Sequence, residues 1–305
     1  MADQSLLRSL LARRSFLQAL SISGLSAAVA LGNPPESREQ LREPIFRVSK
    51  NNPPAEAAVK AAAHPLDPAI DLANETLTKV QNEIVDYTAM IVKRERVNGK
   101  LGVHEFMEAK IRNRKIVDGK LTAPLSVYLK FVKPDSMNGR EVIWVEGQNN
   151  GKMRAHEGGA AGKFLPTVWL PPDGVLAMRG QLHPITEIGF ENLVVKLIEK
   201  GEKDRKHGAA ECEVEFKPGA KINGRVCTVL QVRHPVPRAH FEFHIAQIFI
   251  DDETKLPVRY AAYHWPTDPA DKLGPVIEEY TYLDVKLNPG LTDADFDSNN
   301  PNYNF

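Results

Sequence analysis

The sequence predicts a mainly antiparallel β fold of the α+β type, a strongly curved meander sheet or incomplete barrel with one or two helices packed in its concave side. Strand-like segments follow one another as neighbouring hairpins, without the regular strand–helix alternation that parallel sheets require. Two segments have helical periodicity. One face of the sheet must be covered, since large exposed apolar patches are uncommon, and two helices cover it only if the sheet curves around them.

The helical segments are short and well separated. The stretch DLANETLTKVQNEIVD, residues 71–86, predicts a helix with Asp71 as its cap. Its apolar residues lie near one face: Leu72, Leu77, Val80 and Ile84. A second helix is predicted over 186–206, with its charges gathered toward the C-terminal end.

The strand segments begin at Tyr87 and continue to the last strand, VIEEYTYLDVKLN, residues 276–288. Asn98-Gly99 between two extended runs is the strongest short-range hairpin signal. Further turns are predicted at Asn149-Asn150-Gly151 and over 251–255.

The first 30 residues have the pattern of an export signal. A basic segment precedes an uncharged run over 15–30 that ends in a small-x-small exit sequence, as in signal peptides. The run is shorter than the roughly 20 apolar residues that span a bilayer. The core resembles the twin-arginine motif, and the residues that carry the signal are Arg13, Arg14, Phe16, Leu17, Ala28 and Ala30.

This pattern divides the chain into three parts: a twin-arginine-type signal peptide (1–30), a disordered spacer rich in Pro, Ala, Glu and Lys (31–68), and a single β-rich domain (69–305). The predicted location is the periplasm or cell envelope, with the twin-arginine translocase as partner during export. No transmembrane segment is predicted in the mature chain.

The charge balance is even, with 39 basic and 39 acidic side chains. Such a balance gives no positive field for nucleic acid, so no nucleic-acid partner is predicted. No motif for a cofactor is found, and no cofactor is predicted.

Two cysteines, Cys212 and Cys227, lie in neighbouring strand segments and are candidates for a disulfide. They would face each other if the hairpin turned between Gly219 and Ala220. They would not if it turned at Asn223-Gly224, and the sequence leaves both registers open.

One segment offers weak metal-ligand chemistry. In HFEFH, alternate residues of a strand would place His240, Glu242 and His244 on one face. The two histidines would lie about 13 Å apart on such a strand, too far to share one ion without a bulge. The favoured interpretation is a solvent face with Phe241 and Phe243 packed inward.

Two groups of carboxylates are interpreted as structural. Asp293, Asp295 and Asp297 imitate half of a calcium loop but lack its glycine and final glutamate, so caps and turns with Phe296 as an inward anchor are expected. Glu278 and Glu279 are neighbours in a strand, face opposite sides and cannot form a catalytic pair. No catalytic residue is therefore assigned.

A set of apolar residues is the best candidate for function. It is interpreted either as plain core or as the lining of a cavity for an acyl chain or lipidated segment. The candidates are Val127, Leu129, Phe131, Val142, Trp144, Phe164, Trp169 and Leu170.

Several segments carry a family resemblance. VYLKFVKP, GREVIWVEGQNNGKMRAHEGG, HPITEIGFENLVVKL, IDDETKLPVRYAAYHWP, EEYTYLDVKLN and LTDADFDSNNPNYNF, within 72–305, resemble an uncharacterised family of exported planctomycete-type bacterial proteins with a domain of unknown function. That family has no assigned activity or catalytic residues. The Lys-Leu-Pro strand pair, with Asp251 before it and Tyr260 after it, also resembles the LolA/LolB lipoprotein-carrier fold, which implies an incomplete barrel closed by helices around an apolar cavity.

Three functions follow as hypotheses. The favoured one is non-enzymatic binding of a lipid, lipoprotein or other apolar ligand in a half-barrel cavity. The alternatives are a metal-assisted hydrolase that uses the 240–244 region, and a structural interaction module of the cell envelope.

Overall fold

The computed structural model describes residues 45–46, 64–268 and 270–305. Three α-helices lie in these ranges: α1 (Asp67–Glu83), α2 (Gly159–Gly162) and α3 (Phe190–Asp204). The strands are β1 (Ile45–Phe46), β2 (Asp86–Val97), β3 (Lys100–Leu101), β4 (Glu105–Arg112), β5 (Lys115–Val117), β6 (Lys120–Ala123), β7 (Ser126–Lys133), β8 (Glu141–Val145), β9 (Met153–His156), β10 (Val168–Leu170), β11 (Glu213–Ile222), β12 (Arg225–Arg233), β13 (Ile245–Asp251), β14 (Pro257–Tyr263) and β15 (Val276–Leu287).

Thirteen of the described strands form one antiparallel sheet. Its order is β1-β11-β12-β13-β14-β15-β2-β4-β7-β8-β9-β10, with β3 beside β2, while β5 and β6 form a separate hairpin. The first and last strands of this order do not pair, so the large curved sheet stays open. The predicted fold class is confirmed.

Both long helices pack on one face of the sheet. Val80 and Ile84 of α1 and Phe190 of α3 join a buried cluster with β2, β4, β7 and β8. Ala69 and Ile70 of α1 join a second cluster with β12, β13 and β14. The same helices thus touch both halves of the sheet, which matches the predicted helices in a concave side.

The helix ends differ from the predicted ones. The helix α1 begins at Asp67, four residues before Asp71, because Pro68 fits the first turn, where its missing N–H has no partner to lose. Asp71 is therefore an interior residue. The helix α3 begins at Phe190 after Gly189, whose φ of +107° strains other residues. A Cβ at Gly189 would also lie 2.9 Å from Tyr87 Oη.

Two hairpin turns use Asn-Gly pairs with positive φ at both residues, the backbone of a type I′ turn. Asn98 and Gly99 have φ of 50° and 78° and join β2 to β3, which confirms the predicted turn. Asn223 and Gly224 have φ of 47° and 81° and join β11 to β12.

Two described elements lie or begin within the segment 31–68 that was predicted as a spacer. Ile45–Phe46 pairs with Ile222 and Lys221 of β11, and α1 begins inside the segment predicted as spacer. The predicted signal residues, Arg13 to Ala30, lie outside the described residues. In the described ranges no helix is both long and apolar enough to cross a membrane.

The C-terminal segment covers the other face of the sheet beside β7 and β8. Phe296 packs with Tyr128, Ile143 and Val145, and Tyr303 stacks on Tyr128 with ring centroids 4.2 Å apart. The segment Asp293–Phe296 is a single 3₁₀ turn with a capping box between Thr292 and Asp295. The predicted caps, turns and inward Phe296 are confirmed.

Candidate functional site

An apolar pocket lies between the two long helices and strands β12–β14. Its cavity volume is about 70 Å³, larger than the roughly 10–15 Å³ that one water needs. Most of its walls are aliphatic: Leu66, Ala69, Ile70, Leu72 and Ala73 at α1, Val194, Leu197 and Gly201 on α3, and Leu230, Val232, Phe243, Ala246, Ile248, Ile250 and Pro257 from the sheet side.

The two helices meet closely where α3 has a glycine. On α1, Ala73 lies four residues after Ala69 and three after Ile70, so these residues lie on one side of the helix. A Cβ on Gly201 of α3 would lie 3.0 Å from Ile70 Cγ1. Glycine at this position therefore allows α3 to lie close against α1, and any larger residue would have to displace the Ile70 side chain.

Polar groups stand at the α3 side of the pocket. Lys200 and Lys203 both pair with Glu242, and the Lys203 Nζ–Glu242 Oε1 distance is 2.8 Å. Hydrogen bonds from these two lysines lower the pKa of Glu242 to about 2. Asp204 Oδ2 lies 3.2 Å from His234 Nε2. These contacts tie the last turns of α3 to the connection between β12 and β13.

One polar atom of the pocket wall is buried without a hydrogen bond. Tyr260 is 4% exposed, and its Oη makes no hydrogen bond among the described residues, although the Glu278 carboxylate is near. Burial, followed by the charge of Glu278, raises the pKa of Tyr260 well above its usual range. The hydroxyl therefore stays protonated and lies near the Glu278 carboxylate.

Residues 181–183, which we call the strap, contact a cluster of polar side chains on the sheet. Glu95 on β2 and Glu278 on β15 are directly opposite in register. Tyr280 Oη donates to Glu95 and lies 3.3 Å from Glu278 Oε2. The strap is held there by His183 Nε2, 2.7 Å from Glu278 Oε2, and by the Leu182 N–H, which donates to Glu95 Oε2 at 3.2 Å.

Glu279 faces the other side of the sheet from Glu278, as predicted for strand neighbours. Its carboxylate accepts from Arg94 Nε at 2.6 Å and from Arg259 Nη2 at 2.9 Å. Burial would raise the pKa of Glu279, but His104, Arg259 and Arg94 together lower it to about 2. The two glutamates therefore have separate partners and do not form a pair.

The eight apolar candidates from the sequence do not line this pocket. Val127, Leu129, Phe131, Val142 and Trp144 are buried core residues of β7 and β8, and Leu170 packs against them. Phe164 is 85% exposed and Trp169 is 43% exposed. The pocket lies at β12–β14, several strands away from β7 and β8 in the sheet order.

The pocket residues were missed for a definite reason. Leu66, Ala69 and Ile70 precede the predicted helix start at Asp71. The sequence does hold a signal, since Asp67-Pro68 is typical of the first turn of a helix.

The three residues of the predicted weak metal site each contact a different partner. His240 Nε2 lies 3.3 Å from Glu211 Oε2, Glu242 pairs with the α3 lysines, and His244 Nδ1 lies 2.9 Å from the His234 carbonyl oxygen. The segment 240–244 is a connection before β13 and not a strand. Phe241 and Phe243 are buried, as the favoured interpretation expected.

The candidate disulfide does not form. The hairpin turns at Asn223-Gly224, so Cys227 lies opposite Ala220, while Cys212 precedes Glu213 at the far end. At the strand rise this separates the two cysteines by more than roughly 20 Å, against the 4.4–6.8 Å that a disulfide spans between Cα atoms. Both are buried free thiols.

Three solved structures show distant likeness to this chain. A DUF1329 family protein from Desulfovibrio piger is 14% identical, with 77% of this chain and 98% of that chain covered and a TM-score of 0.35. A LolA superfamily protein from Nitrosomonas europaea is 9% identical, with 78% and 99% covered and a TM-score of 0.30. The lipoprotein LppX from Mycobacterium tuberculosis is 13% identical, with 74% and 98% covered and a TM-score of 0.39. These scores assign no function to this chain.

One family model matches most of the described domain. Its description is "Protein of unknown function (DUF1571)", and the match covers residues 84–305. No curated protein matches the chain.

Proposed function

Because the chain belongs to the DUF1571 family of proteins of unknown function, we propose its function from the pocket: it binds an apolar chain, such as an acyl chain of a lipid or lipoprotein, between the two long helices and β12–β14. One observation supports this above the others. The space between the helices and the sheet is a cavity of about 70 Å³ whose walls are almost wholly apolar.

The affinity would come from burial. Each methylene that leaves water contributes about 0.8 kcal/mol, and the aliphatic walls offer few polar groups to select among ligands. We therefore expect broad, moderate affinity for acyl chains. A cavity of about 70 Å³ holds only a short stretch of chain, so a longer chain requires α1 and α3 to move away from the sheet.

The contact between Gly201 and Ile70 marks where the two helices meet. Gly201 and Ile70 both line the pocket and face each other across the helix contact. If the two helices gave up contacts with each other and formed contacts with the ligand, they would enclose the ligand against the strands. No catalytic role is needed for this function.

The experiment is displacement of a fluorescent lipid-like probe from the full chain by fatty acids. Ala73→Leu adds an apolar side chain inside the pocket and should weaken probe binding at least ten-fold. Glu75→Leu, on an exposed position of the same helix, is the matched control and should leave binding unchanged. Leucine is a good helix former, so both variants should fold, which circular dichroism verifies.

Two results would contradict the proposal. One is a folded wild-type protein that takes up no probe, which would favour a structural module of the envelope. The other is equal probe binding by the wild type and Ala73→Leu, which would place the ligand elsewhere.

We also propose that the protein acts after export by the twin-arginine route, with cleavage after Ala30. The support is the sequence of the first 30 residues. Sequencing the N-terminus of the exported protein tests this, and an intact N-terminus would contradict it.

A further inference from the structure

A group of three potential metal ligands lies beyond the end of α3. His207 follows α3, Glu211 ends a 3₁₀ turn over Ala209–Glu211, and His240 lies in the connection between β12 and β13. One donor atom from each residue lies within 4.8 Å of the other two, and all three residues are partly exposed. In the described ranges no other such group occurs.

Buried neighbours fix the backbone that carries these ligands. His234, which is fully buried, has its Nδ1 3.2 Å from the Glu211 carbonyl oxygen and its Nε2 3.2 Å from Asp204 Oδ2. Phe241 stacks on His234 with centroids 3.7 Å apart. The positions of Glu211 and His240 are thus set by packed residues next to them in the chain.

The side chains of the group already meet. The rings of His207 and His240 stack with centroids 3.7 Å apart and an interplanar angle of 14°, and His240 Nε2 lies 3.3 Å from Glu211 Oε2. Ligand atoms around one tetrahedral zinc lie about 3.3 Å from each other, since Zn–N and Zn–O bonds are about 2.0–2.2 Å. Side-chain rotation of the partly exposed histidines has to close a gap of about 1.5 Å at most and unstack the rings.

The chemistry of the donors suits a borderline metal ion. Two imidazoles and one carboxylate are a known set of protein ligands for zinc, with the fourth position left to water. Arg238 Nε, 3.5 Å from Glu211 Oε1, is the competing cation. The Arg238 side chain is 51% exposed, and an ion pair so exposed to water is weak. A metal ion would therefore displace Arg238 from Glu211 at a small cost in free energy.

We propose that His207, Glu211 and His240 bind one zinc ion, which ties the connection after α3 to the connection before β13. Asp204 and Phe243, which line the apolar pocket, lie within a few residues of these ligands on the same two segments. A bound ion would therefore hold the α3 side of the pocket against the sheet. The site needs no bound lipid and stands independently of the proposed function.

The test is zinc titration of the chelator-stripped full chain, in competition with a chromophoric chelator. The expected result is one zinc per chain and a higher unfolding temperature with zinc than without. Cobalt substitution should give the visible absorption of a tetrahedral site.

Variants locate the site. His240→Gln and His207→Gln should each weaken zinc binding by more than about ten-fold, and two variants are used so that misfolding of one does not decide the result. The control is His264→Gln, an exposed histidine outside the group, which should bind as the wild type does. Wild-type protein that retains no zinc, or equal binding by all three variants and the wild type, would overturn the proposal.

Discussion

Tyr260 and Tyr87 are two buried tyrosines whose hydroxyl groups have opposite surroundings. Tyr87 Oη accepts the Phe190 N–H at 2.9 Å, which satisfies an otherwise unpaired group at the start of α3. Tyr260 Oη has no hydrogen bond in the described part of the chain. A buried polar group without a hydrogen bond destabilises the folded state. When a substitution removes one partner of a hydrogen bond, the other partner is left buried and unpaired, and the folded state is destabilised.

Loss of the hydroxyl group should therefore change the free energy of unfolding differently at the two tyrosines. Tyr87→Phe should lower the free energy of unfolding by about 1–3 kcal/mol, because the Phe190 N–H loses its acceptor. Tyr260→Phe should leave the free energy of unfolding unchanged or raise it slightly. Urea unfolding of both variants measures the difference, and a larger loss in Tyr260→Phe than in Tyr87→Phe would show that the Tyr260 hydroxyl is in fact bonded.

At the scale of elements, the strap joins the connection before α3 to the middle of the sheet. Its contacts are with Glu95 and Glu278, which lie on β2 and β15. Burial is the largest single influence and lowers the pKa of His183, but the hydrogen bond to Glu278 and the charge of that carboxylate together raise it above its usual value. The protonated imidazole therefore stabilises the folded state more than the neutral one does.

The stabilisation that the protonated His183 provides depends on pH. A raised pKa in the folded state means that this stabilisation is fully present below the unfolded pKa of about 6.5. It is lost as the pH rises through the folded pKa. In His183→Gln the free energy of unfolding should therefore change less between pH 6 and pH 8.5 than in the wild type.

Urea unfolding of the wild type and of His183→Gln at both pH values measures this change. The same pH dependence in the wild type and His183→Gln would mean that the strap contact does not contribute.

For the whole molecule, the reactivity of the two cysteine thiols indicates whether the protein is folded. Cys212 lies in the cluster beneath α1, and Cys227 lies in the cluster on the other face of the sheet. Burial raises the pKa of Cys212 to about 12 and that of Cys227 to about 11. Both thiols are therefore neutral and shielded in the folded protein.

Two reactive thiols should appear only when the protein unfolds. Addition of a thiol reagent at pH 8 should give slow labelling of the native protein and rapid labelling of two thiols in denaturant, and reducing agent should not shift the unfolding midpoint. A sample reduced beforehand serves as the control for the thiol count. Unreduced, denatured protein with no reactive thiol would contradict the observed strand register.

The helices and hairpins were predictable because they depend on neighbours in the chain. Val80 and Ile84 repeat with helical spacing, and the Asn98-Gly99 turn depends on two residues whose positive φ values few others adopt. Phe296 as an inward anchor followed from its place among turn-forming aspartates. Local patterns were thus sufficient to predict the antiparallel class, the two packed helices and the separate roles of Glu278 and Glu279.

The pairing of distant strands and the position of the pocket depend on contacts between segments far apart in the chain. β15 pairs with β2 nearly 200 residues earlier, which sets Glu278 opposite Glu95. His207, Glu211 and His240 meet because α3 ends beside the connection before β13. Such contacts join distant segments and leave no periodicity in either one. The register of Cys212 and Cys227 was open for the same reason, since two turns were compatible with one strand pattern, and the packed sheet selected between them.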